Sequence, residues 1–134
     1  FFQAEDGIRD ISVSALMEAF ERVMRRLPKI NRYVIETESV RIEDRIDELI
    51  ARFAEQPHCL FEELFQRDKP RIWFIITFMS ILEMVRLHII TIVQVDQLAA
   101  IHCTAHENFE KNIIYWYNLQ NIDEDVEEAL LKAS

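Results

Sequence analysis

One glycine in 134 residues is the tightest constraint this chain carries. Average usage would give roughly nine. Phosphate-cradling loops, dinucleotide fingerprints and nucleophile elbows each need several glycines where the backbone turns sharply or approaches a ligand. Sandwiches and barrels rich in tight turns are disfavoured for the same reason. What remains is a mainly helical domain. Half the residues are hydrophobic, enough for one core at this length and too many for a disordered chain.

The lone glycine, Gly7, lies in the opening run FFQAEDGIRD. Over Gln3–Asp10 this run resembles the in-frame translation of a sequencing-library adapter, so residues 1–10 are set aside from fold reasoning as an expected artefact. Residues 11–134 then contain no glycine at all.

Charge argues against nucleic acid as the main partner. The formal net charge is −9: +3 over residues 11–33, −4 over 34–56, −1 over 57–106 and −5 over 107–134. No segment is strongly basic, and phosphate binding needs concentrated cations. No uncharged stretch exceeds eleven residues, the length of Ile72–Leu82, well short of the ~20 that span a bilayer. There is no basic lead into an apolar run at the start, so a cytoplasmic location is expected. Two cysteines, Cys59 and Cys103, fit a reduced protein, with a single disulfide left open.

Periodicity supplies the elements. Leu16, Met17, Phe20, Val23, Met24 and Leu27 share one face of a helix over residues 14–27, stopped by Pro28. Tyr33–Ile35 suits a short extended piece. Ser39 is a candidate N-cap for a second helix over 40–54, whose apolar face is Ile42, Ile46, Leu49, Ile50 and Phe53. Its other face, with Arg41, Glu43, Asp44, Arg45, Asp47, Glu48 and Arg52, reads as a solvated, ion-paired surface rather than a catalytic carboxylate pair.

His58–Leu60 suits a strand turn, Phe61–Phe65 a short helix, and Pro70–Leu87 a long helix led by Asp68 or Lys69 as cap. The β-branched run Ile89–Val95 and the segment Ala99–Ala105 suit a hairpin turning at Asp96-Gln97. Helices are expected over Glu107–Leu119 and, capped by Asp123, over Glu124–Lys132. The order from Ser39 (helix, strand, helix, long helix, hairpin) is that of a winged helix.

At 100° per residue the long helix has two apolar sides: Ile75, Phe78, Leu82 and Val85 on one, Trp73, Ile76, Met84 and Leu87 nearly opposite. Both need cover. The domain core accounts for one; the tail, residues 107–134, or a partner protein is expected on the other.

Chemistry-bearing patterns are sparse. His102, Cys103 and His106, with His58 and Cys59, have metal-ligand types. Adjacent strand residues point to opposite faces, however, so His102 and Cys103 would not face one ion. No serine, cysteine or lysine sits in a nucleophile motif. For DNA, the long helix and its lead-in offer Arg67, Lys69, Arg71 and Arg86, and the hairpin offers no cation. These residues imply a protein-binding winged helix, without catalysis, cofactor or metal. A winged-helix DNA-binding transcriptional regulator is the alternative, and a small zinc-binding protein the third reading.

Four segments in order carry a family likeness. Thr77–Leu87 (TFMSILEMVRL), Val40–Leu49 (VRIEDRIDEL), Leu60–Phe65 (LFEELF) and Gln94 in the wing resemble the ScpA (segregation and condensation protein A) family, the bacterial kleisins. Ser14–Arg26 is similar to the helix preceding that family's C-terminal domain. The resemblance implies a non-catalytic subunit bridging SMC ATPase heads and a ScpB dimer in chromosome condensation and segregation, associated with the nucleoid, with no membrane and no specific DNA contact. It divides the chain into the end of a middle region (11–38), an SMC-head-binding winged helix (39–106) and an acidic helical extension (107–134). Phe78, Leu82, Ile75, Val85 and Gln94 would face the SMC head. One departure stands out: Leu98-Ala99-Ala100-Ile101 replaces the family's glycine-containing turn.

Overall fold

The computed structural model describes residues 9–10, 12–27, 41–96 and 99–133. The Tyr33–Ile35 segment, the Ser39 cap and the tip of the Asp96-Gln97 turn fall outside the described residues. The elements are β1 (Arg9–Asp10), α1 (Val13–Arg25), α2 (Ile42–Glu55), β2 (His58–Leu60), a 3-10 turn (Phe61–Leu64), α3 (Arg71–Arg86), β3 (Ile90–Gln94), β4 (His102–Ala105) and α4 (Phe109–Ala133). The fold is mainly α with a small antiparallel sheet ordered β1-β3-β4-β2. From α2 onward it is the expected winged helix.

Each boundary has a local cause. α1 starts one residue earlier than its periodicity suggests, because the Ser12 hydroxyl accepts from the Ala15 N–H at 3.2 Å. α2 starts at Ile42, with Arg41 extended before it and no side-chain cap; Glu43 and Asp44 sit in its first turn, where the helix dipole favours carboxylates. The Glu63 carboxylate accepts from the Leu60 N–H at 3.1 Å, fixing the step from β2 into the 3-10 turn.

α3 ends in a Schellman arrangement: Ile89 N–H donates to Met84 O at 2.9 Å and His88 N–H to Val85 O at 3.0 Å. His88 takes the left-handed conformation (φ 59°) usually given to glycine. The return strand is shorter than Ala99–Ala105, because only His102–Ala105 pair with β3.

The core is one cluster in which α2, α3, the sheet and α1 meet. Three sequence expectations are corrected in it. Arg45 does not belong to a solvated face: it is buried, with Nε donating to Thr77 Oγ1 at 2.9 Å and Nη2 to Leu64 O at 3.0 Å. The second side of α3, expected to lie under the tail or a partner, is covered in part by α1. Phe20 stacks on Phe78 with ring centroids 4.3 Å apart and planes at 6°. The tail itself is one unbroken helix, α4, with no break at Asp123. It leans on α2 through Trp116, whose indole N–H donates to Asp47 Oδ1 at 3.3 Å, and on the α3–β3 corner through Asn112 Nδ2 to His88 O at 2.8 Å.

Candidate functional site: an apolar face on α1 and α3

An apolar all-round helix shows its remaining free surface once its neighbours are placed. α2 and β3 cover one side of α3, and α1 covers part of the other. Between them a stripe stays open: Ile72 is 54% exposed, Ile75 38% and Met79 45%, at i, i+3 and i+7. Across a shallow groove α1 offers Met17, with Phe20 and Met24 half-buried and Arg71 at the rim. Val13 on α1 and Val95 after β3 are also exposed. Large apolar side chains exposed together along one helix face are the kind of surface that a binding partner covers.

The residues singled out from sequence fall in different places. Ile75 lies on the open stripe. Leu82 is half-buried against the core. Phe78, 5% exposed, is held under Phe20 and edge-on to Phe61 at 6.3 Å. Val85 is buried. Gln94 ends β3, and its Nε2 donates to Ala99 O at 2.9 Å, bracing the hairpin turn that lacks a glycine. Sequence reasoning missed Ile72 and Met79. Their i, i+3, i+7 relation to Ile75 was available, but a helix apolar all round gives no sign of which stripe its neighbours leave open.

Charged side chains rim this face: Glu21, Arg25 and Arg71 line the groove. Arg86 pairs with Glu83, whose carboxyl is held below its usual range by that guanidinium. Lys69 reaches over the Trp73 ring at 6.0 Å. The candidate metal residues do not converge. Strand alternation sends Cys59 and Cys103 into the core, while His58 and His102 pair on the opposite face, His102 Nδ1 lying 3.1 Å from His58 Nε2. Among the described residues no three His, Cys, Asp or Glu side chains gather as a metal site would require. No described helix is long and apolar enough to cross a membrane.

Comparison with known proteins decides the family. The family model for segregation and condensation protein ScpA matches residues 3–106. The chain belongs to the ScpA family. A segregation and condensation protein A of Myxococcus xanthus is 36% identical over 102 residues, covering 74% of this chain and 35% of that protein. One from Halothermothrix orenii is 31% identical over 94 residues, covering 63% of this chain and 39% of that protein. The chain thus spans little more than a third of these relatives' length. The ScpA match takes in α1, the winged helix and the α1–α3 face, and it stops before α4.

Proposed function

We propose that this chain is part of a kleisin subunit that takes part in chromosome segregation and condensation by binding an SMC ATPase head through the α1–α3 face. Membership of the ScpA family supports the role, and the open Ile72–Ile75–Met79 stripe supports the mode of contact. Apolar anchors that exclude water, rimmed by polar groups, are what a helix-in-groove interface uses. Ile75 and Leu82 are the anchors available at the surface. Phe78 and Val85 hold the helix in place beneath them, and Gln94 sets the wing turn. The bridge to a ScpB dimer belongs to the wider protein. The reading involves no catalytic group, no cofactor and no direct contact with DNA, and it places the protein in the cytoplasm at the nucleoid.

The test is a pull-down and titration of the full chain against the SMC head from the same genome. Ile75→Glu and Leu82→Glu should each weaken binding at least about tenfold, roughly 1.4 kcal/mol, while the helical circular-dichroism signal is kept. Undiminished affinity in both variants removes the proposed interface. A salt-dependent shift of DNA by the wild-type chain, without head binding, would favour the regulator reading instead.

A further inference from the structure

β2 and β4 run antiparallel with Cys59 directly opposite Cys103. Both thiols are free and buried, on the core side of the sheet with Ile92. Phe61 N–H donates to Ile101 O at 2.9 Å and Ala105 N–H to Pro57 O at 2.7 Å, two residues to either side. That phasing puts the two cysteines at a hydrogen-bonded pair position, where Cα atoms stand about 5.5 Å apart. Disulfides span about 4.4–6.8 Å between Cα atoms, so the Cα spacing admits a bridge, with a small shift of the edge strand to bring the Cβ atoms together.

Three neighbouring features point the same way. β2 is an edge strand of only three residues, entered through Pro57, so local opening there breaks few bonds. The Cys103 thiol hydrogen-bonds the Cys59 sulfur; that contact lowers the Cys59 pKa and, with burial, raises that of Cys103. Arg52, whose Nε is buried without a hydrogen-bond partner, also favours charge on Cys59. Cys59, on the edge strand, is also the sulfur nearer solvent, 4% exposed against 0% for Cys103 on the inner strand, so an oxidant entering from that edge meets Cys59 first.

We propose that Cys59 and Cys103 are an oxidation site that closes to a cross-strand disulfide under hydrogen peroxide. The Cys59 sulfur attacks one peroxide oxygen and breaks the O–O bond. The departing hydroxide takes the thiol proton and leaves as water, and Cys59 becomes a sulfenic acid. The Cys103 sulfur then attacks the Cys59 sulfur and displaces its hydroxyl, which leaves as water with the Cys103 proton. Two thiols and one peroxide give one disulfide and two waters; the sulfurs lose two electrons in all and the peroxide gains them. At a hydrogen-bonded pair position the Cβ atoms start farther apart than a relaxed disulfide holds them, so the bond is strained and readily reduced.

The test is intact-mass analysis of the purified 134-residue chain before and after hydrogen peroxide, with peptide mapping under non-reducing conditions. The expected result is a loss of about 2 Da, no thiol titratable after denaturation, a peptide linking residues 59 and 103, and full reversal by dithiothreitol. The oxidised form should also melt several degrees higher, because the cross-link restricts the unfolded chain. Cys59→Ser should leave Cys103 unoxidised under the same exposure. Two titratable thiols persisting after peroxide, gain of oxygen without a linked peptide, or a linkage only between two chains would each overturn the proposal. The wild-type measurement decides the matter even where a variant fails to fold.

Discussion

Arg45 brings a permanent cation into the contact between α2 and α3. Besides Thr77 and Leu64, it reaches the exposed Glu48 at 2.8 Å and lays its guanidinium 4.3 Å from the Trp73 ring. Burial lowers its pKa, with Glu48 acting against that shift, and the group stays charged throughout the working range. Arg45→Ala strands a buried carbonyl and a buried hydroxyl and empties space above Trp73. It should lower the unfolding free energy by about 2–4 kcal/mol in urea titration. Lysine, a compact donor without the planar fork, should restore little of it. Nothing in the local sequence separates Arg45 from Arg41 or Arg52, since burial was decided by where Thr77 and Leu64 land in three dimensions. His88 is a similar case. A chain short of glycine must put some other residue at the left-handed corner after α3, and only the ladder to Met84 and Val85 shows which.

Among the elements, α3 was the most legible. Its long apolar run admits no other assignment, and its observed ends fall within one residue of those read from Pro70 and Leu87. α4 was misread as two helices because Asp123 has cap chemistry; with no glycine or proline nearby to break the i→i−4 ladder, the backbone continues through it. The packing energy of α4 is concentrated at its root. Trp116 is buried and Phe109 and Ile113 are half-buried against the core, whereas residues 121–133 are exposed throughout. Trp116→Ala should therefore cost about 3 kcal/mol. A stop codon after Asn121 should leave the melting midpoint unchanged within error. A comparable loss in both would show that the distal half packs on something after all.

At the scale of the whole molecule, element order sufficed to read a mainly α fold with a small hairpin behind its long helix. The long-range pairing was not legible. α1 is joined to α2 by residues 28–40, and no local pattern says that Phe20 will lie on Phe78 rather than face solvent. That stacking puts Phe78, one of the expected contact residues, in the layer beneath the surface.

α4 also sets how the molecule moves in solution. Twenty-five residues of helix measure about 37 Å, and residues 121–133, about 20 Å of it, are exposed along their length. A rod on a small sphere tumbles and sediments more slowly than a sphere of the same mass. Small-angle scattering should accordingly give a pair-distance distribution with a long shoulder. Removing the residues beyond Asn121 should erase that shoulder and shorten the rotational correlation time by more than the lost mass alone accounts for.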